Sequence, residues 1–61
     1  MRMNIILETR RVGNTQKVSA IDEETGTEVS FVAPSSAAKV DIERLARSKL
    51  AYVIKKKSAE T

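Results

Sequence analysis

The chain contains no cysteine and no histidine. Disulfide staples, thiolate chemistry, the common zinc sites and histidine acid–base catalysis are therefore excluded, and the fold must be held by packing alone. The only glycines, Gly13 and Gly26, stand far apart, so there is no glycine-rich phosphate cradle. The longest wholly apolar run, Leu50 to Ile54, is far short of a membrane span, and the opening MRMNIILETRR lacks the apolar region of a signal peptide. These absences predict a soluble cytoplasmic protein that does not enter a membrane. With 61 residues the chain makes one small domain. A domain of that size buries only about 60% of its unfolded-chain surface, so weak stability or self-association is expected.

The net charge of +3 is unevenly placed. Residues 1–34 carry Arg2, Arg10, Arg11 and Lys17 against Glu8, Asp22, Glu23, Glu24 and Glu28, a balance of −1; residues 35–61 carry seven bases against three acids, a balance of +4. The asymmetry is compatible with an anionic partner but too mild to demand one.

The stretch from Lys17 to Pro34 organises the rest. Apolar residues alternate before its acidic turn (Val18, Ala20) and after it (Val29, Phe31, Ala33), the period-two pattern of a half-buried strand pair. A hairpin alone is marginal in water, and a third strand with a covering helix would stabilise it. Residues 4–12 supply that strand, ending at Gly13-Asn14, where both residues tolerate positive φ in a two-residue turn. If Val12 faces Thr15, then Thr9 faces Val18, Leu7 faces Ala20 and Ile5 faces Asp22. The second turn, Asp22 to Thr27, reads as a longer loop with Gly26 in the left-handed position and Asp22 bonding the loop backbone. Closing Asp22 on Thr27 sets Ala20 opposite Val29 and Val18 opposite Phe31. The two turns, read separately, build the same cross-strand rows, and a slip of one residue in either would scatter the apolar set over both faces.

Pro34 ends the third strand in this reading, because it lacks the amide donor that a ladder requires, and Ser35 or Ser36 can cap a helix. From there to Lys57 the spacing is helical: Ala38, Ile42, Leu45, Ala46, Leu50 and Val53 make one broad face, with Tyr52 and Ile54 at its margins. Ala37 to Val40 could equally be a looser lead-in. Lys49 falls inside the apolar arc, so its stem should pack while its ammonium reaches past the sheet edge, with Asp22 as an alternative buried partner. The predicted fold is α+β: a three-stranded antiparallel meander in the order 1-2-3, with one C-terminal helix on one face. The strands are placed at 4–12, 15–22 and 27–33, the helix at 36–57 covering Leu7, Val18, Ala20, Val29 and Phe31, and a frayed tail at 58–61.

The strings RRVGN, VSAIDEETGTEVSFVAP and RSKLAYVIKKK together resemble a family of roughly 60-residue bacterial proteins, mostly alphaproteobacterial, that is described as a domain of unknown function. The similarity spans nearly the whole chain. It implies a bacterial cytoplasmic origin and supplies no catalytic residues.

Chemistry is sparse. Asp22, Glu23, Glu24 and Glu28 lack the ligand order of a calcium loop and read as a solvated turn. The remaining carboxylates fall on turns and exposed faces rather than in a cleft, so the chain reads as a non-enzyme with no cofactor, no metal and no small-molecule substrate. The outer sheet face is more suggestive. Its rows are Arg10, Lys17 and Val32; Glu8, Ser19 and Ser30; and Ile6, Ile21 and Glu28. Arg10 opposite Lys17 is mildly unfavourable for folding, a cost that a phosphate could offset. In a nucleic-acid-binding reading, Arg10, Arg11 and Lys17, with Arg2 nearby, contact phosphates, Ser19 and Ser30 hydrogen-bond backbone or bases, and Lys55, Lys56 and Lys57 add nonspecific attraction. Against it, Glu8 and Glu28 interrupt the positive field and the face has no aromatic residue for stacking. Lys55 to Lys57 also suit the negative end of a helix dipole. The leading expectation is a non-enzymatic binding module with a protein partner or itself, acting through the outer face or the edges, with Ile6, Ile21 and Val32 as contacts.

Overall fold

The computed structural model describes residues 4–60, with side chains through Lys57. Three strands, β1 (Ile5–Val12), β2 (Thr15–Asp22) and β3 (Glu28–Pro34), form an antiparallel sheet in the order β1-β2-β3, and one helix, α1 (Lys39–Glu60), follows. The register matches the one read from the turns. Leu7 pairs with Ala20 and Thr9 with Val18 across the first hairpin. Ala20 pairs with Val29 and Val18 with Phe31 across the second.

The turns differ in chemistry. Gly13 has φ +61° and, among the described residues, no non-glycine residue has positive φ, so Asn14 does not use its tolerance of the left-handed region. Positive φ at the first central position alone is the pattern of a type II′ turn rather than I′. In the second loop Gly26 has φ +73°. The Asp22 amide donates to the Thr27 carbonyl at 2.8 Å, and the Gly26 amide donates to the Asp22 carbonyl at 2.8 Å. The buried Asp22 carboxylate accepts from the Thr25 hydroxyl at 2.8 Å and from the Glu24 amide at 3.4 Å, as the sequence suggested for a turn-forming aspartate.

Pro34 is the last residue of β3, opposite Thr15, so the strand ends at it as expected but includes it. The reason is geometric. The Ser35 amide donates to the Asn14 carbonyl, so the residues of β3 that bond β2 are Ala33, Phe31 and Val29, while Pro34, Val32, Ser30 and Glu28 turn their backbone groups outward. Proline is tolerated on an edge strand where its missing N–H would face solvent. Ser35 and Ser36 do not cap the helix. Ser35 continues the ladder, Ala37 closes a turn onto the Pro34 carbonyl, and the first helical bonds run from Asp41 and Ile42 to the Ala38 carbonyl. The helix therefore starts at Lys39, three residues later than predicted, and its backbone continues to Glu60 rather than fraying after Lys57; Thr61 lies outside the described residues.

The core is thin. Ile42, Ala46 and Leu50, one turn apart along α1, are buried against Val18, Ala20 and Ala33 of the sheet. Val18, Ala33 and Ile42 form one cluster, and Ala20, Ala46 and Leu50 the other. The buried stripe is narrower than predicted, since Ala38 is exposed and Leu45 is 44% exposed. Small residues at 20, 33 and 46 let the helix approach β2 and β3 closely, and those are the strands it contacts. It leans away from β1, yet Leu7, like Val29 and Phe31, is half-buried and packs against the core. Among the described side chains Leu50 is the last buried one of the helix, and Val53 and Ile54 beyond it are half-buried. The radius of gyration is 12.1 Å, against about 10.5 Å for a compact chain of this length.

Candidate functional site

The placement of α1 over β2 and β3 leaves the β1 side open. Between β1 and the helix runs a groove of about 670 Å³ whose floor is Ile5, Leu7 and Thr9 and whose helical wall is Ile42, Glu43 and Arg47. Ile5 and Leu7 are half-buried and Thr9 is exposed. Aliphatic residues in a wet groove beside charged ones mark a surface that gains by being covered.

The same strand offers its backbone. The Glu23 amide donates to the Asn4 carbonyl at 2.8 Å, which makes Asn4 and Glu23 a hydrogen-bonded pair. Such pairs alternate along an antiparallel ladder, so Ile6, Glu8, Arg10 and Val12 bond β2. Ile5, Leu7, Thr9 and Arg11 turn their N–H and C=O groups to the free edge. The edge is eight residues long, with no proline and no bulge to blunt it.

The outer face carries the predicted rows. Arg10 stands opposite Lys17, and Lys17 opposite Val32; Glu8, Ser19 and Ser30 form the next row, and Ile6, Ile21 and Glu28 the third. Arg10, Lys17 and Ser30 are exposed, Ser19 and Ile21 are half-buried, and Ile6 and Val32 are 47% and 66% exposed. Arg11 does not join them. It pairs with Gln16, itself opposite the buried Ala33, and strand alternation puts that row on the helix side of the sheet. Arg2 lies outside the described residues. Lys55, Lys56 and Lys57 are exposed near the helix C-terminus, on a different element from Arg10 and Lys17.

Lys49 is exposed and does not pair with Asp22, whose carboxylate is taken up by the loop. Its ammonium instead sits over the Phe31 ring, 5.5 Å from the centroid. On that flank Leu45 and Tyr52, 44% and 67% exposed, line a shallower depression with Val29 and Ser30. Among the described residues no three His, Cys, Asp or Glu side chains are grouped to hold a metal ion, and no helix is long and apolar enough to cross a membrane.

The open groove was not legible in the sequence. Periodicity tells which residues of a helix are apolar, not how far across a sheet the helix will sit. The run of small residues at 20, 33 and 46 was the available signal, because a helix settles where side chains are smallest.

No curated protein and no solved structure matches the chain. A family model matches residues 2–57, nearly the whole length, and its description is a domain of unknown function, DUF6898. The compact β-β-β-α unit built by these residues is thus the domain of that family, and the chain belongs to it.

Proposed function

We propose that this domain is a non-enzymatic protein-interaction module whose contact surface is the β1 side: the free edge together with the groove between β1 and α1. One observation carries the reading. The helix makes most of its sheet contacts with β2 and β3, and a groove stays open between it and the half-buried Ile5 and Leu7, beside eight residues of regular edge strand. An added strand would satisfy the outward N–H and C=O groups of Ile5, Leu7, Thr9 and Arg11, and its side chains would cover the apolar floor.

Photo-crosslinking tests it. A photoreactive residue at position 7, on the groove floor, is compared with one at position 19, on the outer face, in the protein expressed in its own cell. Protein adducts at position 7 and few at position 19 are expected. Adducts confined to position 19 would overturn the assignment.

A second reading is favoured by the direct opposition of Arg10 and Lys17, a like-charge cross-strand pair that a phosphate between them would relieve. In this reading the outer face meets nucleic acid through those two bases, with Ser19 and Ser30 adding hydrogen bonds. Titration with mixed-sequence DNA and RNA should then move the amide signals of Arg10, Lys17, Ser19 and Ser30, and the effect should fall steeply with salt. Movement limited to Lys55–Lys57 would count against it.

A further inference from the structure

We infer that the occupant of the β1 edge is a second copy of this chain, with the two β1 strands paired antiparallel about a twofold axis at Thr9. The inference rests on the β1 side being the contact surface and adds the partner and its register.

The argument begins with side-chain order. On the outer face β1 presents Ile6, Glu8, Arg10 and Val12. Read about Thr9, this pattern is self-complementary: an antiparallel copy centred there sets Glu8 against Arg10 of the partner subunit twice, and Ile6 against Val12 of the partner subunit twice. Moving the axis to Glu8 or to Arg10 puts like charges face to face. Moving it to Leu7 or Arg11 sets a charged residue against an apolar one. On the outer face only the Thr9 register matches both charge and polarity; on the helix side it sets Leu7 against Arg11 of the partner subunit, whose aliphatic stem covers it.

The backbone agrees with the side chains. Pairing about an odd-numbered residue brings Leu7, Thr9 and Arg11 of each strand into the hydrogen-bonded positions, and these are the residues whose amides and carbonyls point to the free edge. Glu8 and Arg10 of the partner subunit then occupy non-hydrogen-bonded positions, where opposed side chains are closest. Arg10, opposite Lys17 in its own sheet, gains a carboxylate on its other side. The helix does not obstruct the approach, since it lies over β2 and β3. The resulting six-stranded sheet carries both helices on one face, and the two grooves merge over a shared floor of Ile5, Leu7, Thr9 and Arg11. The opposite edge offers no such match, because the outward row of β3 holds one acid, Glu28, and no base.

The test is charge reversal read by sedimentation equilibrium. Wild type should show a reversible monomer–dimer equilibrium. Glu8→Arg and Arg10→Glu should each weaken dimerisation at least about tenfold, since each turns two attractive pairs into repulsive ones. Mixing the two variants should restore association, because every cross-strand pair in the heterodimer is attractive, and the double reversal should dimerise like wild type. Among the described residues neither change breaks an intramolecular ion pair, as Glu8 faces Ser19 and Arg10 faces Lys17, and circular dichroism would verify the fold. Thr9→Pro, which removes an outward N–H and no internal ladder bond, should also abolish dimers. A wild-type monomer at millimolar concentration overturns the second-copy assignment; position-7 crosslinks to another protein would then leave the β1 surface standing. A dimer insensitive to both charge reversal and Thr9→Pro overturns the surface itself.

Discussion

The Lys49 ammonium stands 5.5 Å from the centre of the Phe31 ring, so a residue at the border of the helix's apolar arc is held by an aromatic face rather than by a carboxylate. The contact ties α1 to β3 on the flank opposite the groove. An exposed cation over a phenyl ring contributes about 0.5–1 kcal/mol. A double-mutant cycle of Lys49→Gln and Phe31→Leu, followed by urea unfolding, should return a coupling of that size. A coupling near zero would show that the lysine merely rests there.

Leu50 is fully buried and is one of the two largest side chains to be so. Truncation to alanine should cost about 2–5 kcal/mol. A domain of this size has about 3–5 kcal/mol in total, so Leu50→Ala should be largely unfolded at 25 °C, with helical signal lost in far-ultraviolet circular dichroism. Ala46→Leu acts in the reverse sense. It should force the helix off β2 and cost about 1–3 kcal/mol through overpacking.

Gly26 holds φ +73° where an added methyl group would meet nothing within 4 Å, so any penalty is conformational rather than steric. Gly26→Ala should cost about 1–2 kcal/mol, and Gly26→Asn less, because asparagine enters the left-handed region more readily. Equal losses for the two variants in thermal unfolding would contradict this account. Gly13→Ala should behave like Gly26→Ala.

Asp22 holds its loop through the Thr25 hydroxyl and the Glu24 amide while 3% exposed. Asp22→Ala should lower stability by about 1–3 kcal/mol, since it leaves donors without their charged acceptor. Asp22→Asn keeps one acceptor oxygen and should lose less. Faster hydrogen exchange at the Gly26 and Asp22 amides in the alanine variant would place the damage in the loop.

Strand register was legible because each turn is specified by a few residues with unusual backbone demands, and period-two alternation then propagates the register without ambiguity. Arg11 shows where the reading slipped. Its nearness in sequence to Arg10 suggested a shared surface, yet adjacent residues in a strand face opposite ways, and Arg11 belongs with Gln16 on the helix side. The helix start was obscured by Ser35 and Ser36, which look like caps. The Ser35 amide is already committed to the Asn14 carbonyl, and Ala38 takes the capping place without a side-chain acceptor. The lateral position of the helix depends on the small residues at 20, 33 and 46, whose joint effect appears only once the strands are paired. That position also decides which half of the candidate surface is open.

Pro34 makes the two borders of the sheet chemically unequal. Its nitrogen faces outward at the end of β3 and carries no hydrogen, so the row of donors on that border stops at Val32, whereas the row on β1 runs the length of the strand. An added strand would find more outward donors along β1 than along β3, and a contact that uses the same border of both copies closes on itself. The dimer proposed above would therefore be a particle of fixed size instead of the start of a filament.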